Sequence, residues 1–124
     1  MKIRYYTGNG IDLGFMNIMD VYSLFGNAVS NAIEAVREVA DPEKRIIHIV
    51  TERVGDIINI QITNFYAGEI QFEDGLPRTR KKEEPGYHGF GMKSMRLIAE
   101  KYGGRLAAKA DKEVFTLSIY ILNK

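Results

Sequence analysis

The sequence has no cysteine. That excludes disulfides, thiolate metal centres and thiol catalysis. Histidine is nearly as scarce, with only His48 and His88, too few for a protein-ligated zinc centre of the usual kind. No apolar run approaches the roughly 20 residues that span a bilayer, and no signal-peptide pattern is present. Charge of one sign is also missing: 17 Lys and Arg face 16 Asp and Glu, for a net charge of +1. The global balance therefore predicts no nucleic-acid partner and no direct membrane contact, and any electropositive site must be local. What is present is ordinary globular material, 45% hydrophobic and 27% charged over 124 residues. That length suits one domain, 1–124, expected to be cytoplasmic.

The chain alternates between strand and helix signals. "KIRYYT" reads as a strand and "GNGIDLG" as a turn. Asp20 reads as the N-cap of a helix running to about Val39, stopped by "DPEK". "RIIHIVTERV" and "IINIQITNF", with Gly55 and Asp56 between them, read as a hairpin. Residues from about Tyr66 to Tyr87 show no sustained period and carry the run "RTRKKEE", so they read as a long loop. A second helix runs from about Gly91 to Tyr102, closed by Gly103 and Gly104. "RLAAKA" and "EVFTLSIYIL" form a last hairpin around Asp111 and Lys112. The order implies an α/β fold in two layers, with helices on one face of a mixed, mostly antiparallel sheet.

Two stretches carry chemistry. In "DVYSLFGNAVSNAIEAVREV" the residues Val21, Leu24, Phe25, Ala28, Ala32, Ala35, Val36 and Val39 form an apolar face. Asn27, Asn31, Glu34 and Glu38 form a polar stripe beside it. Glu38 reads as solvated. Asn is a mediocre helix former, so two of them one turn apart at the edge of the buried face lack a local reason. A carboxamide oxygen is a hard, neutral ligand suited to Mg²⁺ that also carries water and phosphate. The second stretch, "HGFGMKS", places Gly89 and Gly91 at the opening of a helix, where backbone N–H groups and the helix dipole favour anions.

These residues resemble a known family. "LFGNAVSNAIEAV" looks like the N box, and "HGFGMKS" like the second glycine box, of the GHKL (Bergerat) ATP-binding fold. That superfamily includes DNA gyrase, heat-shock chaperones, sensor histidine kinases and mismatch-repair proteins. The run "DGLPRTRKKEEPGYHGFGMKSMRLIAEKYGG" is most similar to receptor histidine kinases of the quorum-sensing type. The resemblance implies a catalytic domain that binds ATP and Mg²⁺, with 66–88 as the ATP lid. It also implies a longer receptor kinase, membrane-anchored elsewhere, in which the γ-phosphoryl passes to a histidine on a separate dimerisation domain. A response regulator then acts downstream. A stand-alone serine kinase of the anti-sigma-factor type and a degenerate nucleotide-binding interaction module remain open on the same residues.

By position, Asn31 matches the N-box asparagine that contacts Mg²⁺ and phosphate. Asn27 stands where gyrase-like ATPases resemble one another in having a water-activating glutamate. An amide cannot take that proton at neutral pH, which points to phosphoryl transfer rather than efficient hydrolysis. Glu34 lies on the same stripe, where other kinases are often basic. Gly89, Gly91, Met92 and Lys93 fall in the second glycine box. Lys93 reads either as a phosphate contact or as a solvated lysine. His88 reads either as a phosphate contact or as a lid cap. Arg78, Arg80, Lys81 and Lys82 fall in the lid. The first glycine box departs from the family pattern: Asn64 stands for the usual adenine-binding Asp, Gly68 for the last glycine, and the middle glycine is absent.

Overall fold

The computed structural model describes residues 1–77 and 91–124. Five strands form one sheet in the order β1-β2-β3-β7-β6. They are β1 (Lys2–Thr7), β2 (Ile46–Val54), β3 (Ile57–Phe65), β6 (Arg105–Asp111) and β7 (Val114–Leu122). Only β1 and β2 run parallel; the other neighbours are antiparallel. Two helices, α1 (Ile18–Arg37) and α2 (Gly91–Lys101), pack on one face of this sheet. A separate two-stranded ribbon, β4 (Phe72–Glu73) with β5 (Leu76–Pro77), stands in the segment that the sequence presents as a featureless loop.

Period-two alternation builds the core. Ile49 of β2 sits across from Ile62 of β3, which faces Leu117 of β7, and Ile60 faces Ile119; Ile47 and Ile58 lie on the same side of their strands. All face the helices and are buried. From α1, Leu24, Ala28, Ala32 and Val36 meet them, four residues apart, and from α2 come Met95 and Ala99. Small residues at 28, 32 and 99 let the helix backbones lie close to the sheet. Three polar side chains are buried, Thr51, Asn64 and Ser118; Thr51 is 1% exposed and its hydroxyl has no partner among the described residues.

Helix α1 starts three residues before the position expected from the sequence. Its N-cap is Asn17, whose Oδ1 accepts from the Met19 N–H at 2.8 Å. Asp20 lies in the first turn instead. In a capping box that third residue would turn back to the cap's own N–H. Here Tyr102 plays that part. Its hydroxyl accepts from the Asn17 N–H at 2.8 Å and donates to Asp20 Oδ2 at 2.7 Å. A residue 85 positions away completes the cap, which no local pattern could reveal. The helix also ends at Arg37, two residues short of the expected Val39.

Helix α2 ends as its glycines predict. Gly104 N–H donates to Ala99 O at 2.9 Å and Gly103 N–H to Glu100 O at 3.0 Å, the paired bonds of a Schellman motif. Gly103 takes φ +76°, the left-handed region that suits glycine. At Gly104 an added Cβ would stand 1.6 Å from Tyr120 O, so the chain crosses the sheet backbone there with no room for a side chain. Among the described residues no helix is long and apolar enough to cross a membrane.

Two outcomes test this packing. Gly104→Ala should force a backbone shift and lower Tm by about 10 °C or more, as a loss of about 3 kcal/mol does in a domain of this size. Thr51→Val should raise stability by about 1 kcal/mol, because it removes an unpartnered buried hydroxyl at constant shape. Thermal melts measure the first and urea unfolding the second.

Candidate functional site

The polar stripe of α1 and the start of α2 come together. An added Cβ on Gly91 would stand 3.5 Å from Asn27 Oδ1 and 3.7 Å from Asn31 Nδ2. A Cβ at 91 would lie in ordinary van der Waals contact with both amides, so the start of α2 and the polar stripe of α1 are immediate neighbours. Asn27 is oriented from its other side, with Nδ2 donating to Ser23 Oγ at 3.3 Å one turn earlier. Both asparagines are half-buried at the edge of the core, as their place beside the apolar face implies.

Gly91 opens α2, so the N–H groups of its first turn have no acceptor within the helix. The dipole adds partial positive charge at that end. The arrangement is thus a short cradle: neutral carboxamides on one side and the first-turn N–H groups of α2 on the other. It suits an anion with an attached hard cation. Among the described residues no group of three His, Cys, Asp or Glu could hold a metal ion. A metal at this place would rest on amide oxygens and on oxygens of the bound anion.

Other candidate residues take varied positions. Asn64 is the last core-facing residue of β3, 3% exposed, with its Nδ2 donating to Phe65 O at 2.9 Å. Gly68 follows with φ +76° and is exposed. Glu34 is exposed one turn beyond Asn31, Lys93 is exposed in the first turn of α2, and Met92 packs against the core. His88, Gly89, Arg78, Arg80, Lys81 and Lys82 lie outside the described residues. His48, which the sequence places in an apolar strand, points to the face away from the helices and is exposed.

Two contacts that the sequence did not signal hold α2 in place. Arg96 donates through Nη1 to Asp74 O at 2.9 Å and through Nη2 to Asp74 Oδ2 at 3.2 Å. This ties the β4–β5 ribbon to the helix, and Leu76 of the ribbon is buried beneath. At the far end Lys101 Nζ reaches Asp20 Oδ2 at 2.7 Å. The hydrogen bond from Lys101, then that from Tyr102, holds the Asp20 carboxyl below its ordinary value near 3.8. The same bond to Asp20 holds Lys101 above its ordinary value near 10.5.

The signs follow from linkage. Asp20 is the more acidic in the folded state, so its contribution is present above about pH 3.8 and is lost as pH falls through the lower folded value. Lys101 binds its proton more tightly when folded, so its contribution is present below about pH 10.5 and is lost as pH rises through the raised value. In Asp20→Asn both slopes should flatten, with the Asn17 cap still in place. Melting temperatures from pH 2 to 12 in the two proteins check this.

A model of the GHKL domain family matches residues 16–122. Solved structures agree in fold. The nucleotide-free catalytic domain of histidine kinase ThkA superposes with a TM-score of 0.68 at 19% identity, covering 98% of this chain and 79% of that one. A second crystal form of ThkA gives 0.70 at 19% identity, covering 98% and 78%. Acinetobacter baumannii histidine kinase AdeS gives 0.67 at 16% identity, covering 97% of this chain and 53% of that one. No curated protein matches the sequence.

Proposed function

The chain belongs to the GHKL domain family, and from that membership we propose that it is the Mg²⁺-ATP-binding catalytic domain of a sensor histidine kinase. The observation that carries the reading is the meeting of Asn27, Asn31 and Gly91, which joins the two motifs across 60 residues of sequence. Bound Mg²⁺-ATP would supply the transferable γ-phosphoryl and the charge neutralisation that this transfer needs. The protein's part is positioning. Asn31 and Asn27 would offer amide oxygens to the metal, the N–H groups at Gly91, Met92 and Lys93 would face phosphate oxygens, and Asn64 and Gly68 would border the adenine end. Glu34 lies at the rim, and the family pattern assigns His88 and Gly89, outside the described residues, to the phosphates. Residues 66–88 act as the lid.

No described residue beside Gly91 is a base that could activate water. Asn27 is an amide, and its NH₂ is already committed to Ser23. The domain accordingly serves an external acceptor, a histidine on a separate dimerisation domain, with a response regulator downstream. It would work at the cytoplasmic end of a larger, membrane-anchored receptor. The stand-alone serine kinase of the same fold is the alternative, and the gene sequence preceding residue 1 separates the two.

Two measurements test this. Wild type should gain about 2.7 kcal/mol at Mg²⁺-ATP a hundredfold above Kd, seen as a raised Tm. Asn31→Ala should keep its nucleotide-free Tm and lose that gain; an unchanged gain defeats the assignment. The chain alone, incubated with γ-labelled ATP, should take up no stable label and release phosphate very slowly. Brisk release would instead mark a hydrolase.

A further inference from the structure

Among the described residues, strand β1 is a sheet edge that nothing covers, marked only by the charges of Lys2 and Arg4. Helix α1 packs over β2 and β3, and α2 over β6 and β7, so neither covers β1. All six of its residues are exposed, with Ile3 at 51%, Tyr5 at 58% and Tyr6 at 59%. Natural edges are usually shortened, charged, bulged, interrupted by proline or covered, because unpaired backbone invites another strand. Among the described residues β1 has neither proline nor cover.

The direction of its backbone groups follows from the ladder. Lys2 N–H donates to Arg45 O at 2.9 Å and Gly8 N–H to Thr51 O at 2.8 Å. In a parallel pair every second residue turns toward its neighbour. Lys2, Arg4, Tyr6 and Gly8 thus bond inward, and Ile3, Tyr5 and Thr7 present their N–H and C=O groups outward. Those outward groups repeat every two residues, roughly 6.6 Å apart, and accept a complementary strand without any change in β1.

The side chains add a code. Ile3 and Tyr5 share a face with buried Ile47 and Ile49, and extend that apolar side past the end of the core. Lys2 and Arg4 share the opposite face with Ile46 and His48. The strand carries no Asp or Glu. A second copy of β1 would bring two more cations to the same seam with nothing to offset them, and like charges across a strand pair are destabilising. We infer that the free edge of β1 is a docking strand for an extended segment of a partner protein whose residues alternate between acidic and apolar, its carboxylates over Lys2 and Arg4 and its apolar side chains beside Ile3 and Tyr5. Backbone bonds supply the affinity and the alternation supplies the register, as in other strand-addition complexes.

The test uses the full chain and a fluorescein-labelled octapeptide alternating Glu and Val, read by anisotropy. Saturable binding that weakens as salt rises is expected. Tyr5→Pro removes one outward N–H and no bond to β2, so affinity should fall about tenfold. The double variant Lys2→Glu with Arg4→Glu should lose the Glu-Val peptide and take up its Lys-Val counterpart. This exchange is the deciding readout if Tyr5→Pro fails to fold. Circular dichroism verifies each variant. No binding by wild type, equal binding by folded Tyr5→Pro, or a charge-reversed variant that keeps its preference overturns the inference. So does a dimer in sedimentation velocity that Tyr5→Pro dissolves, since the edge would then serve a second copy.

Discussion

The tightest constraint in the molecule is backbone against backbone, where the chain after α2 passes over Tyr120. Only a hydrogen fits between Gly104 and the Tyr120 carbonyl. Gly103, turned left-handed just before it, lets the helix stop at Lys101 and the strand begin at Arg105. Helix α2 is eleven residues long and behaves as a short rod. Fixing where it ends, and bracing that end through Tyr102 to Asn17 and Asp20, decides where it begins. Its beginning is Gly91, held against the amides of Asn27 and Asn31. The placement of the cradle is thus set at the opposite end of the helix by a requirement for glycine.

The cradle in turn explains why two unpromising helix residues sit in α1. An asparagine at 27 or 31 does little for the helix and sits poorly in a core. Both occur where the apolar face ends and the neighbouring helix opens, so each can keep one polar end wet. Ser23 and Gly91 flank Asn27 on opposite sides, and the amide is held between them. Nothing among these residues resembles an acid-base pair. The chemistry that such a site supports is holding and orienting, with charge supplied by what binds.

Much of this is legible in the sequence. The two-layer arrangement, both long hairpins, the amphipathic face of α1 and the glycine stop of α2 all follow from local pattern, since each depends on residues within a few positions of one another. The pairing of the two motifs is legible through their resemblance to a family, and Gly91 stands against both asparagines in space. The failures share one cause. The true start of α1 depends on Tyr102, and the ribbon at Phe72–Pro77 depends on Arg96 and on burial of Leu76. Asp20 has the right side chain for a cap, but its carboxylate is drawn away by Lys101. Contacts between residues far apart in sequence settle these points, and a linear pattern does not contain them.

Strand β1 also has a history in time. Its partner begins at Ile46, so Lys2 must wait for 44 further residues before its register exists. At synthesis rates of about 5–20 residues per second, that interval is roughly 2–9 s. Through it β1 has no neighbour to pair with, until the chain has turned through α1 and come back. The sheet's β1–β2 pair can therefore form only after the whole of α1 has been made.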